Sequence, residues 1–441
     1  MKGGTEHIMG IGRKIFLGAA VFALPIGVLA YLVVSNINEF INFAQYELMG
    51  DAYQRPLESL LRDIQNHQLL LHRCPDNGDC SAQLASLKGA ISKELQSLQD
   101  VNTLYGVKLQ FTADGLAKRK RQSATAENLQ NNWRELDAMT SKVEKGKVPP
   151  AVDEKYDAVI DIVKTMTTHM GDTSFLILDP DLDTYYFMCD TLVNLPLNQD
   201  RLARVTAFGR DAIAQGKITE KERTALAVYA ALMQQSDLDV INSNLQTALN
   251  EDLNFYGVSP SLQKNLPPAF KEYADAQTKF IEMTNQLAAS KTPSISVDDY
   301  VAAGVKARNA NFHLWDVGIP EEDIMLNARI NSYAHRRVMA FVFSGLALLV
   351  ACLLAYGTML SITKPLHKLA RTLVPGATLL SGSVEQLGEI SSKGVQDEAA
   401  THVICDELTA HAEDMRKTAG QLQSIVFGSG GASDDSHLRR I

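Results

Sequence analysis

Apolar residues recur along most of the chain at alternating steps of three and four, the period of a helix that buries one face. Tyr53, Leu57, Leu60, Ile64 and Leu71 form such a stripe, and His67 fills its one gap. The turn-forming pairs that punctuate β-proteins are nearly absent, so the pattern predicts an all-α fold. Helices are expected from Asn36 to Arg73, from Ser81 to about Leu109, from Leu116 to Val143 and from Val152 to about Leu178. Others follow from Asn198 to Gln215, Thr219 to about Asn254, Ala269 to Ser290 and Val297 to about Trp315. Thr219-Glu220-Lys221-Glu222 reads as a capping box, and Ser296 as a second N-cap. Pro56 predicts a kink, and Leu266-Pro267-Pro268 and Gly318-Ile319-Pro320 predict breaks, because proline removes a helical donor and clashes with the preceding turn.

Two runs depart from this pattern by being apolar on every side. Ile15 to Val34 and Val338 to Leu360 carry no charge, and each is long enough to cross a bilayer. The first is too long for a signal-peptide core and no small-x-small cleavage site follows it, so it reads as an uncleaved anchor. Membrane spans are therefore expected at 15–35 and 338–360. Lys2, Arg13 and Lys14 precede the first span, and Lys364, Lys368 and Arg371 follow the second. The positive-inside rule then predicts a two-pass membrane protein with both termini cytoplasmic and 36–335 outside, while Arg336 and Arg337 on the outer flank pull the other way.

Composition narrows the functional classes. With 441 residues and 46% hydrophobic content the chain has ample material for more than one helical module. A net charge of −9, without a basic stripe interleaved with aromatics, argues against a nucleic-acid partner. There is no Gly-rich phosphate loop, no nucleophile–His–acid arrangement and no Cys/His metal spacing, so neither enzyme activity, cofactor nor metal is expected. Cys74 and Cys80 flank a Pro-Asp-Asn-Gly-Asp loop. In an oxidising compartment they would form a disulfide; two free thiols are the alternative.

The most distinctive stretch is Ser174 to Met188, where an apolar helical end meets Asp179-Pro180-Asp181-Leu182-Asp183 and restarts as an aromatic helix containing Tyr185 and Tyr186. Asp179 as N-cap and Pro180 at the first helical position would explain the restart, with Asp181 and Asp183 in the first turn favoured by the helix dipole. The other reading makes these acids and tyrosines part of a ligand pocket.

Taken with the two spans, these residues resemble a bacterial methyl-accepting chemotaxis receptor. Ile362-Thr363-x-Pro365-Leu366 is similar to the opening of a HAMP signal-relay helix, so 361–375 reads as a partial HAMP-like linker. Glu47-x-x-Gly50-x-x-Tyr53-x-x-Pro56-Leu57 with His67, and Asp172 through Met188, resemble a sensor region shared by chemoreceptors, histidine kinases and diguanylate cyclases. Segment 376–427 looks like the descending and ascending coiled-coil helices of such receptors with the kinase-docking tip between them missing; 428–441 has the composition of a disordered tail. The resemblance implies a homodimer in the bacterial inner membrane, or a mixed assembly with other receptors, with 36–335 as a periplasmic sensor; the number and length of its expected helices predict two stacked helical bundles. The ligand would be a small molecule or a periplasmic protein, its pocket formed by Tyr53, His67, Asp181, Asp183, Tyr185 and Tyr186; so acid-rich a site would suit a cationic or polyhydroxylated ligand better than a dicarboxylate. A truncated receptor that only scaffolds a membrane complex is the alternative function.

Overall fold

The computed structural model describes residues 11–73, 80–143, 148–391 and 398–427. Among them there is no strand, and the fold is all-α. Twelve α-helices are described: α1 (Ile11–Arg73), α2 (Ser81–Tyr105), α3 (Ala113–Lys118), α4 (Ala126–Thr140), α5 (Pro150–Thr173), α6 (Leu182–Met188), α7 (Leu195–Ala214), α8 (Glu220–Leu232), α9 (Asp239–Glu251), α10 (Pro260–Ala289), α11 (Val297–Ser391) and α12 (Glu398–Phe427). Two π-helical turns, Cys189–Asn194 and Met233–Leu238, join α6 to α7 and α8 to α9 without interrupting the rod.

Several predicted boundaries move. The segment expected as one helix from Leu116 to Val143 is two, because Lys120 takes positive φ after α3 and the chain restarts on the Thr125 cap, whose hydroxyl accepts from Asn128 N. Pro267 and Pro268 lie inside α10 and do not break it. They lie past the four N-terminal donors that have no intrahelical partner, so each removes one helical bond, and the helix runs on because Leu262, Leu266, Ala269 and Tyr273 on either side of them are buried. Gly318 and Pro320 likewise sit within the continuous α11, and Pro56 within α1. The capping box forms as read: Glu222 N donates to Thr219 Oγ1 and Thr219 N to Glu222 Oε2, at 3.3 and 2.8 Å. Ser296 accepts from Asp299 N at 3.1 Å.

α1 and α11 are long and apolar enough to cross a membrane; their most apolar 18-residue windows have mean hydropathy 2.4 and 2.6, and none of either window is buried. The chain divides into two compact units. One takes both flanks, up to Ile37 and from Arg336. There Val384, Ala412 and Ala419 are buried, whereas Leu379 is 73% exposed.

The other unit, Asn38–His335, holds two apolar cores. The first gathers the predicted α1 stripe, every member of it buried, with Ile91, Leu95 and Leu98 of α2, Trp133 of α4 and Tyr156, Val159, Val163 and Met166 of α5. The second is built from α7 to α11, around Leu202, Val205, Tyr273, Phe280 and Tyr300. The chain crosses between them at adjacent residues, since Phe187 belongs to the second core and Met188 to the first. Full burial of side chains this size stabilises by roughly 1.5–3 kcal/mol each, so the short helix α6 is held from both sides.

Candidate functional site at the central corner

α5 stops at Thr173, and the backbone turns through Phe175 at φ 67°, a left-handed conformation that costs a bulky residue about 1–2 kcal/mol. Packing against α1 holds it there. The Phe175 ring stacks on Phe43 at 5.1 Å and tilts against Tyr46 at 5.4 Å. Gly50 on the same helix makes the approach possible, because a Cβ there would lie 2.6 Å from both Leu176 Cδ1 and Ser174 Oγ. The two stretches singled out in the sequence, Glu47–Tyr53 and Asp172–Met188, therefore meet in space.

The restart differs from the expected one. α6 begins at Leu182, and Asp181 rather than Asp179 occupies the N-cap position, with its side chain turned away from the helix. Asp179 Oδ1 instead accepts from Asp181 N and from Thr184 Oγ1, both at 2.9 Å. The cap expected at Asp179 and Pro180 is displaced because Arg329 of α11 claims the acids. Its Nη2 donates to Asp179 Oδ1 at 2.7 Å and also to Thr184 Oγ1, and its Nε lies 2.6 Å from Asp181 Oδ2. Nη1 donates to Glu47 Oε2 at 2.7 Å. One guanidinium, itself 2% exposed, thus binds α1, the corner and α11 together.

Acid outnumbers base here. Burial and the neighbouring Asp179 charge push Glu47 up to about 9 despite Arg329. Burial also raises Asp179, and it lifts Asp183 to about 6. Arg329 loses from burial but gains more from Asp179, Glu47 and Asp181, which hold its proton firmly. One turn along α1, Asp51 is fully buried with neither carboxylate oxygen hydrogen-bonded, and burial, with Glu322 beside it, raises it well above the usual range. Glu322 of α11 is pushed to about 8, chiefly by burial, and accepts from Thr191 Oγ1 at 2.7 Å. Arg55 and Asp323 close the cluster with a 2.5 Å ion pair. At neutral pH such a cluster retains protons, and its chemistry is to share them and to lock helices. Among the described residues no group of three or more His, Cys, Asp or Glu side chains could hold a metal ion.

The structure brings together only part of the expected pocket. Asp181 joins Arg329, and Tyr256, its proton held by burial and by Asp181, lies against it. Asp183 is buried and accepts from Thr184 N at 2.8 Å. Tyr185 is 38% exposed and packs edge-on to the partly buried Tyr186 at 5.5 Å. Tyr53 and His67 lie elsewhere, inside the first core and fully buried. Tyr53 donates to Asn102 Oδ1 at 3.0 Å and stacks on Phe111 at 4.4 Å. His67 Nδ1 bonds the Tyr156 hydroxyl, its ring meets Trp133 edge-on, and burial lowers it to about 4. Cys80 is disulfide-bonded, and Cys74 lies outside the described residues. The residues that sequence reasoning missed, Arg329, Glu322 and Asp51, are charges set on apolar helix faces.

No family model, curated protein or solved structure matches the chain.

Proposed function

We propose that the chain is a two-span sensory receptor of the chemotaxis type, dimeric or assembled with other receptors. Its Asn38–His335 unit, built as two stacked helical bundles, faces the periplasm, and both termini face the cytoplasm. The observation that carries this reading is the Arg329 network. The two helices it ties to the corner, α1 and α11, are the same two that contain the apolar spans. A displacement of α11 along α1 has to break or redistribute those bonds, so a signal that favours one packing of the corner also favours one position of the spans. The energy for such a shift is the difference in the ligand's affinity for the two packings.

The tail favours a second reading as well. It lacks the hairpin tip that docks a kinase, so the chain would reach a kinase only within a mixed assembly, or would scaffold without signalling. Purification of the full chain from membranes that also contain full-length receptors, the chemotaxis kinase and its coupling protein separates these readings. Recovery of the kinase with the receptors supports the sensory role. Recovery of receptors alone leaves the scaffold, and recovery of neither removes both.

A further inference from the structure

A crevice of about 280 Å³ opens in the first core's flank, between α1, α5, the 3₁₀ turn Leu176–Leu178, and the π-turn into α7. Its walls are mainly apolar, with Leu61, Ile177, Leu192 and Leu197 among them, and Ile177 and Leu197 are left 40% and 47% exposed. Glu58 of α1 reaches the same crevice although it is only 4% exposed, and its Oε1 has no hydrogen-bond partner. The other charged groups of the lining are already matched: Lys164 with Asp200 at 3.0 Å, and Asp172 with Arg121 at 2.6 Å. Also facing Glu58 are Arg62 on its own helix and Asp316 of α11, bonded to each other at 3.5 Å, and the Gln199 amide of α7. Gln199 already hydrogen-bonds the carboxyl, so the acceptor left unmatched in this apolar cleft is Glu58 Oε1.

We propose that this crevice binds a small organic ammonium ion whose apolar body lies along Leu61, Leu192 and Leu197 and whose charged nitrogen donates to Glu58. A buried carboxyl with a free oxygen gains most from an ionised donor, since charge-assisted hydrogen bonds are roughly twice as strong as neutral ones. The volume suits a compact ligand, lying just below the range of about 300–1,000 Å³ typical of drug-sized sites. Burial holds Glu58 up at about 8, so at neutral pH it keeps its proton until an ammonium arrives. Binding then releases that proton. The proposal stands apart from the receptor reading, since a bound amine requires no signalling output.

Calorimetry on the full chain in nanodiscs tests it, with primary amines from butylamine to 2-phenylethylamine as probes and 2-phenylethanol and 3-phenylpropanoate as neutral and anionic counterparts. At least one amine is expected to bind tenfold or more tightly than its alcohol and acid counterparts. Its affinity is expected to rise with pH by up to about tenfold per unit between pH 6 and 8, with proton release visible in buffers of different ionisation enthalpy. Glu58→Gln keeps the shape and the neutral state, and is expected to lower affinity at least tenfold. Leu197→Trp, which fills the mouth without touching charge, is expected to do the same. Equal binding of alcohol and amine, an unchanged Glu58→Gln, or no binding by any amine overturns the proposal, and each leaves the receptor reading untouched.

Discussion

Arg329 Nη1 sits 2.7 Å from Glu47 Oε2, joining α11 to α1 across 282 residues of chain. The same guanidinium holds Asp179 and Asp181, so its removal strands three acids in a buried site. Arg329→Met is expected to cost about 3–5 kcal/mol, the range found when one partner of a buried ion pair is deleted. Glu47→Gln is expected to cost far less, below about 1.5 kcal/mol, because Glu47 is the member pushed to about 9 and carries its proton at neutral pH. Denaturant unfolding of the two full-length variants checks this. Equal losses would mean that Glu47 is ionised in the native state.

The buried acids set the alkaline side of the stability curve. Glu47 rises to about 9, and Glu322, Asp190 and Glu58 to about 8, each mainly by burial. A carboxyl whose native pKa is raised binds more protons folded than unfolded, so its contribution is complete below about pH 4 and is lost as pH climbs through the native value. The melting temperature of the full chain is therefore expected to fall between pH 6 and 9. One unit of displacement is worth about 1.4 kcal/mol, so even part of these shifts is measurable. The double variant Glu47→Gln, Glu322→Gln should flatten that fall. A melting temperature that rises from pH 7 to 9 would contradict it.

Gly50 is where the corner leans on α1, and an added methyl meets Leu176 and Ser174 at 2.6 Å. Intrinsic propensity alone would make Gly50→Ala stabilising by roughly 1 kcal/mol. The overlap wins, because the corner is fixed by Phe175 stacking and by Arg329, and overpacking a fixed site costs about 1–3 kcal/mol. The substitution is expected to destabilise. A gain in melting temperature would show that the corner yields.

Helix content and both apolar spans could be read from the chain because they depend on local periodicity and length. The α1 stripe from Tyr53 to Leu71 was legible for the same reason, and it is buried throughout. The corner was legible only as an unusual run of acids. What sets the roles of Asp179 and Asp181 is a guanidinium about 150 residues later, and no local pattern links them. A weaker signal did exist. Arg329 follows Met325 and Leu326 at helical steps of four and three, and Asp51 follows Glu47 by four; a charge on an apolar face demands a distant partner. The prolines misled because packing outweighs the helical bonds they remove: Leu262, Leu266, Ala269 and Tyr273, on either side of Pro267 and Pro268, are all buried.

His67 governs the acid side. It fills the gap in the α1 stripe, bonded through Nδ1 to Tyr156 while Nε2 has no partner, and burial lowers it to about 4. A histidine whose native pKa is depressed binds fewer protons folded than unfolded, so stability is lost as pH falls from the unfolded value near 6.5 toward 4. At pH 5 the native state then gives up about 2 kcal/mol that it has at pH 7.5, by the same linkage. His67→Phe keeps a ring against Trp133 and removes the buried unpaired nitrogen, though it leaves the Tyr156 hydroxyl without its partner. Relative to the unsubstituted chain, it is expected to be more stable at pH 5 than at pH 7.5 by about that amount. If its deficit or gain is the same at both pH values, His67 is not held neutral in the core. Because the crevice at Glu58 does not include His67, amine binding by His67→Phe at pH 7.5 should match that of the unsubstituted chain.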